Sequence, residues 1–489
     1  MIQRNYIKLF YFIVLSSLSA LDVCPGNILF TPITDGPFGG GDSYTRLIRE
    51  DGELVNQWNH ETSAATTAYL LNDSTLVCPF KIDNPQIVGS AYGGKIIKYS
   101  WGGEILWEYE YSDETYLQHH DIEVMPNGNI LLIAWDRRTY LEGISVGRVD
   151  LESEIWPDKI VELEPIGQDS AIIVWEWKFW DHLVQDIDPN LPSYGVVSEH
   201  PELIDINIGD LPLAALGITD WTHLNSIDYN QELDQIVISS RNMSEFYIID
   251  HSTTTEEASG HTGGNSGMGG DILYRWGNPM NYQRGTLEDK VLVGQHDVNW
   301  IEPGYPNSGN LIMFNNGSTT SYGQNNTLSS VLEICPPIDS EGLYYLGGLD
   351  SFGPEEGVWS YQFDFFSHIM SGAKRLSNGN TLVTVATEMR IFEVTTDGEV
   401  VWNYNHMEHG QTGISKASKY PLDFLLPNCV SLGDINQDCN IDIFDIIGLL
   451  NYILGLDDLD DNEFYLADLN ADGNLTVEDI LLIVSLILI

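Results

Sequence analysis

Three histidines stand at the entry of a recurring hairpin. His120 precedes Asp121, Ile122 and the turn Asn127-Gly128-Asn129. His223 lies in DWTHLNSIDY, two residues before Asn225, and His296 lies in GQHDVNWI, followed by Asp297. Arg241, in VISSRNMSEF, ends the strand after His223. Imidazole serves as nucleophile and as proton carrier near neutral pH. Arginine offers a planar fork of donors to an oxyanion. Histidine, asparagine and arginine together, with no thiolate or convergent carboxylates in the pattern, suit a sulfate or phosphate group. In the first and last copies of the hairpin the aligned residues are Ala65 and Ser371, so the repeat itself does not need an imidazole there. Any one of these histidines alone reads as a buried, hydrogen-bonded core residue. Three at one repeat position read as a site. A His-rich metal centre is a further reading, but Asn and Arg are poor companions for zinc.

A second constellation lies near the C-terminus. Asp434, Asn436, Asp438, Asn440, Asp442 and Asp445 occupy positions 1, 3, 5, 7, 9 and 12 of a twelve-residue loop. Asp468, Asn470, Asp472, Asn474, Thr476 and Asp479 repeat that spacing 34 residues later. Calcium takes six or more oxygen ligands, and this spacing wraps side-chain oxygens around one ion, with position 7 giving its backbone carbonyl. The alternative is an acidic surface loop. An apolar helix is expected after each loop, over 446–454 and 480–489, the second packing on the first.

The elements that must position the histidines are short strands. Ser371–His406 reads as four of them: Ala373–Leu376, Thr381–Ala386, Arg390–Thr395 and Glu399–Tyr404. They are joined by turns at Ser377-Asn378-Gly379-Asn380 and Thr396-Asp397-Gly398, and Asn-Gly and Asp-Gly are strong hairpin signals. One such sheet cannot bury both faces, so copies should stack radially as blades. Copies recur from Leu47–Trp58 onward, about six in all. The expected fold is all-β, a six-bladed β-propeller over 27–420. A linker at 421–430 then leads to a small α-helical, EF-hand-like module at 431–489. Gly147–Leu211 reads as a long insertion, and VWEWKFWDHLVQD (Val174–Asp186) reads as a strand turning into a short helix. His251–Asp271 reads as a Gly/Ser/Thr-rich loop.

Composition narrows the partners. With 72 Asp+Glu against 21 Lys+Arg, the net charge of −51 repels nucleic acid and anionic membranes. Such acidity also fits a saline exterior. Residues 1–20 have the form of a secretory signal, with Arg4 and Lys8 ahead of the apolar run Leu9–Leu18 and small residues up to Ala20. A secreted, periplasmic or cell-surface location is therefore expected. The apolar run is short for a membrane span. Cys24 would carry the lipid of a lipoprotein, but Val23 fits a lipobox poorly. The five cysteines lack zinc-site spacing. Cys429 and Cys439 are the closest pair in sequence, and an odd count leaves a thiol without an intramolecular partner.

The stretches IVWEWKFWDHLVQD, DWTHLNSIDYNQELDQIVISSRN, IIDHSTTTEEASGHTGG, DILYRWGNP, GQHDVNWI and SGAKRLSNGNTL resemble the arylsulfotransferase (ASST) family of exported six-bladed propellers. The resemblance covers most of Asn27–His406. It implies transfer of a sulfuryl group from a phenolic sulfate ester to another phenol, without the nucleotide donor PAPS and without a metal. It also implies a transiently sulfated histidine, which by its place in the motif is His296. Arg241, Asn225 and His223 would hold the sulfonyl oxygens, and His120 would serve the phenol oxygen. His119 is adjacent to His120, and the split of roles between them is open. Enterobacterial members carry an additional N-terminal β-domain and a close Cys pair, neither of which is evident in this sequence. The tail resembles a type I dockerin-like module, which implies a cohesin-like or cell-surface partner. It departs from that pattern at position 6 of the first loop, where Cys439 stands in place of the glycine represented by Gly473 in the second. The competing reading is a non-catalytic propeller that binds a glycan or protein and is displayed through its tail.

Overall fold

A computed structural model describes residues 23–34, 42–66, 68–208, 219–317, 328–348, 350–408, 410–426, 431–438 and 440–487. The expected signal segment, Cys429 and Cys439 fall outside these residues. Two compact units are present: a large one of Ile28–Leu70 with Leu76–Ser418, and a smaller one that holds the chain from Lys419 onward.

The large unit is a six-bladed β-propeller, each blade a four-stranded sheet. Blade one takes its innermost strand, Gly413–Tyr420, from the end of the propeller sequence and its next strand, Asn27–Ile33, from the beginning. The innermost strands of blades three, four, five and six are Tyr116–Val124, Leu224–Asn230, His296–Trp300 and Gly372–Arg375. In blade six the strands are Gly372–Arg375, Thr381–Val385, Arg390–Val394 and Val400–Asn405, within a residue or so of the sequence expectation. Residues of this kind form strands because β-branched and aromatic side chains alternate with polar ones and pack on a pleated surface.

Tryptophan links the blades. In outer strands, Trp58, Trp107, Trp175, Trp276, Trp359 and Trp402 each donate an indole N–H to an acceptor in the blade that follows. The acceptors are Ser100 O, Ser170 O, Thr253 Oγ1, Pro354 O, Thr396 O and Glu50 O, at 2.6–3.1 Å. The last of these, Trp402 to Glu50, closes the ring. Each ring buries apolar area while its N–H finds a partner, which is why Trp suits this position.

Two expectations change. Gly147–Leu211 is not one insertion, because Asp158–Ile166 and Ser170–Lys178 form the outer hairpin of blade three. Trp175 and Trp177 face inward while Glu176 pairs with Lys159 and Lys178, so strand alternation prevails until a single 3-10 turn at Phe179–Asp181. In blade five the strand Ser330–Ile334 stops just before Pro336 and Pro337, which lack the N–H donors a ladder needs.

In the smaller unit, helices Ile443–Ile453, Asp461–Ala467 and Val477–Ile487 enclose a core of Ile435, Leu449, Ala467 and Ile483. The first and third helices start about three residues earlier than expected. Asp442 caps the first through the N–H of Phe444, with Asp445 closing a capping box. Among the described residues no helix is long and apolar enough to cross a membrane.

Candidate active site

His120 lies inside the innermost strand of blade three, His223 just before that of blade four and His296 at the start of that of blade five. Their geometry corrects the expectation that all three share one repeat position. A blade-to-blade hydrogen bond fixes the equivalence. Asp121 Oδ2 accepts from the N–H of Ile227, Ser226 Oγ from Val298, and Asp297 Oδ2 from Ala373. The residues just before Asp121, Ser226 and Asp297 are therefore equivalent, and they are His120, Asn225 and His296. His223 stands two positions earlier, where the pairing of Leu224–Asn230 slips between Leu224 and Ser226. That irregularity lets blade four present Asn225 at the repeat position and His223 beside it. Both His120 (φ 51°) and His223 (φ 49°) have left-handed backbone, which re-aims the side chains, and the pairing of Tyr116–Val124 slips between Gln118 and Ile122 around His120.

The groups converge. The rings of His120 and His223 are 4.7 Å apart, edge to face. His120 feels the charges of His223, His119, His296 and Arg241, and His296 feels those of Arg241 and His223. All three histidines and Asn225 are buried. Arg241 follows the strand Gln235–Ser240, and its N–H donates to the carbonyl of His223 at 3.1 Å.

The hydrogen bonds define which nitrogen each ring presents. Asp158 Oδ2 accepts from Thr222 Oγ1 and the N–H of Leu224, while Oδ1 lies 2.7 Å from His119 Nε2, so His119 carries its proton there. His119 Nδ1 is 2.8 Å from His120 Nδ1. With one proton on His119, the proton between them belongs to His120, and the lone pair of His120 is on Nε2. His119 is wholly buried and stacked on Trp135 at 4.1 Å, so it supports the site from behind and His120 faces it. His223 Nδ1 meets Asp220 Oδ2 at 2.5 Å, and Trp135 Nε1 donates to Asp220 Oδ1. Burial alone would raise the Asp220 carboxyl, but His223 beside it holds it below the usual value. Asn316 donates its amide to Ser367 O and Met370 O, so its Oδ1 accepts from His296 Nδ1 at 2.7 Å. The lone pair of His296 is thus on Nε2, where the N–H of Met370 donates at 3.2 Å.

Burial, followed by Arg241, lowers the His296 pKa to about 3. Burial, followed by His223, holds His120 well below the ordinary value. Both rings are neutral near pH 7 and available as nucleophile or proton acceptor. Asn225 Nδ2 donates to Gln295 O at 2.7 Å, and its Oδ1 is buried with no protein partner. Behind the site, Lys416 pairs with Asp121 at 2.7 Å and Asp297 at 3.4 Å. This pairing sets one positive charge between the two carboxylates that follow His120 and His296.

Sequence reasoning did not single out Asp158, Asp220, Asn316 or Met370. Asp220, three residues before His223 in DWTH, offered a local signal. Asn316 and Met370 offered none, because the chain brings them to His296 from 20 and 74 residues away. Asp158 hydrogen-bonds His119 and Asp220 hydrogen-bonds His223, each behind its own ring.

In the smaller unit the two twelve-residue loops fold alike. Asp438 N–H donates to Asp434 Oδ1 and Asp472 N–H to Asp468 Oδ1, both at 3.1 Å. Asp442 N–H donates to Asp445 Oδ2, and Thr476 N–H to Asp479 Oδ2. Position 4 is left-handed in both, at Gln437 and Ala471. Asp445 and Asp479 are fully buried, and Asp479 Oδ1 has no hydrogen-bond partner.

A model of the arylsulfotransferase (ASST) family matches residues 42–420. No curated protein matches the chain. Among solved structures, a protein of unknown function from Bacteroides caccae is 10% identical with a TM-score of 0.44, covering 81% of this chain and 98% of that one. A putative 6-phosphogluconolactonase from Bacteroides fragilis NCTC 9343 is 11% identical with a TM-score of 0.39, covering 81% and 98%. The β-propeller domain of Cps50 (Swd1) from Myceliophteria thermophila is 10% identical with a TM-score of 0.39, covering 80% and 95%.

Proposed function

The chain belongs to the arylsulfotransferase family, and from that premise we propose that it is an exported, PAPS-independent aryl-sulfate sulfotransferase working through a sulfohistidine. The observation that carries the reading is the set of pinned tautomers. Asp158 through His119, Asp220, and Asn316 hold their protons on the far side of His120, His223 and His296, so each ring turns a lone pair on Nε2 away from its support.

His296 Nε2 attacks the sulfur of the aryl sulfate, the ester S–O bond breaks, and the phenolate leaves with its electron pair. Arg241 and the amide N–H of Asn225 not given to Gln295 O hold the sulfonyl oxygens as charge shifts toward the leaving group, and His223 lines the same pocket. The N–H of Met370, displaced from the lone pair as the N–S bond forms, becomes a donor to a sulfonyl oxygen. In the second half-reaction His120 Nε2 takes the proton of the acceptor phenol, whose oxygen attacks the same sulfur and releases His296. A phenolate is a good leaving group, so no propeller step needs a metal.

For the tail we propose a calcium-binding, dockerin-like role that displays the propeller to a cohesin-like or cell-surface partner. The orphan Asp479 Oδ1, buried at position 12 of its loop, fits a hard cation. Asp434, Asn436, Asp438, Asn440, Asp442 and Asp445 would hold one ion, and Asp468, Asn470, Asp472, Asn474, Thr476 and Asp479 the other. Calcium would neutralise crowded carboxylates and order both loops.

The catalytic proposal is tested by mixing enzyme with a chromogenic phenyl sulfate and no acceptor, then quenching rapidly for mass spectrometry. A sulfo group of about 80 Da is expected on a peptide containing His296, discharged when phenol is added. Transfer without that adduct would make direct exchange between two bound phenols the better account. Absence of any turnover would favour a binding propeller.

A further inference from the structure

We propose that His182, His261 and Asp271 form a binding site for a borderline-soft divalent cation of the zinc class, separate from the histidines of the transfer site. His182 follows the 3-10 turn at the end of blade three. His261 and Asp271 bracket the loop HTGGNSGMGGD, which holds five glycines. One ring nitrogen of His182, one of His261 and a carboxylate oxygen of Asp271 lie within 4.8 Å of one another. Both imidazole nitrogens address the same oxygen, Asp271 Oδ1, at 2.8 and 2.7 Å.

Proton bookkeeping at His182 points to a cation. Its Nε2 is 2.9 Å from the carbonyl of Ala258, which only accepts, so Nε2 carries a proton. A neutral His182 then turns the lone pair of Nδ1 straight at a carboxylate oxygen. That contact holds only if a second proton or a metal ion sits between them. A ring N–H fixed on a backbone carbonyl, leaving the other nitrogen unprotonated, is the outer-shell arrangement of metal-bound histidine. The ring is clamped further by Trp177, parallel to it at 5.5 Å, whose indole N–H donates to Gly270 O at 2.6 Å. Two imidazoles and one carboxylate suit zinc, with bonds of about 2.0–2.2 Å and a fourth position for water. The nitrogens need to move back by about half an ångström to reach the spacing of about 3.3 Å between tetrahedral ligands.

The arrangement has a physical purpose. Gly263, Gly264, Gly267 and Gly269 all have left-handed backbone, and a glycine-rich loop loses much conformational freedom on ordering. A β-carbon on Gly270 would lie 1.9 Å from Ala258 O, so the loop must pass tightly beneath the short helix Thr255–Ala258. A cation would tie the loop to the end of blade three. The open side belongs to His261, whose side chain is 62% exposed and gives the ion a way in.

The test uses the full chain with excess calcium present, which occupies oxygen-rich sites. After dialysis into metal-free buffer, cobalt(II) is added as the spectroscopic probe, and bound zinc is counted by elemental analysis in a parallel sample. About one equivalent of tightly held zinc is expected, with the intense visible bands of four- or five-coordinate cobalt. His261→Ala leaves the buried ligands untouched, and it should weaken binding at least tenfold and remove those bands. Asp271→Asn should do the same, and if it fails to fold the exposed variant decides alone. Equal metal content in wild type and His261→Ala, or no zinc retained by wild type, would overturn the site. His182 would then be an imidazolium held by Asp271.

Discussion

The backbone N–H of Met370 lies 3.2 Å from Nε2 of His296, while the Nδ1 of the same ring lies 2.7 Å from Asn316 Oδ1. One ring nitrogen is committed to structure and the other carries only a long, displaceable bond. His296→Ala should therefore abolish turnover, because no neighbouring group supplies a positioned nucleophile. His368, exposed and with its ring 6.2 Å from that of Phe366, is the control. His368→Ala should keep wild-type kcat/KM. Turnover surviving in His296→Ala would remove His296 from the covalent role.

Arg241→Lys should lower kcat/KM by roughly a hundredfold, since a point charge does not reproduce a fork on two oxygens. Steady-state kinetics with an aryl sulfate donor measure it, and an unchanged kcat/KM would dismiss the fork.

Asp220→Asn keeps the size of the side chain but ends the carboxylate that receives His223 Nδ1–H at 2.5 Å. His223 then loses its fixed tautomer, and turnover should fall at least tenfold with little change in the unfolding midpoint. An unfolding midpoint that drops in step with activity would assign Asp220 to packing instead.

The pH dependence has a definite sign. The folded pKa of His296 is about 3, below the ordinary 6.5, because burial and then Arg241 penalise its charge. The unfolded chain binds more protons between those values, so this contribution is present above pH 6.5 and is lost as pH falls toward 3. His251 runs the opposite way. Burial lowers its pKa, but hydrogen bonds to Asp234 and Glu162 prevail and raise it to about 9. Its contribution is full below 6.5 and is lost as pH rises through 9. Urea midpoints should thus fall on both sides of pH 6.5, and His251→Gln should flatten the arm between 6.5 and 9. An alkaline arm that keeps its slope in that variant would exclude His251 as its source.

Calcium titration of the full chain should show two sites in the tail. Asp445→Asn and Asp479→Asn should each remove one, because position 12 supplies a carboxylate to its own loop. Calorimetry at millimolar calcium is the measurement, and no uptake by wild type would end the dockerin-like reading.

Much of the propeller was legible in the chain. Asn378-Gly379 and Asp397-Gly398 mark hairpins because few residues adopt the required turn, and period-two alternation around them marks strands. Both signals are local, so the strands of blade six lie almost where the sequence placed them. His120, Asn225, Arg241 and His296 were likewise visible, as polar residues where the repeat needs none. The tertiary structure decided what is non-local. It showed that Asn225 and not His223 is the repeat equivalent of His120, because that equivalence is carried by hydrogen bonds between blades. It separated His119 from His120 by bringing Asp158 to His119 from 39 residues away. It also supplied Asn316 and Met370, and it set His182 against His261 and Asp271. Sequence spacing records which residues share a strand. Only closure of the ring, fixed at last by Trp402 on Glu50, determines which strands face one another.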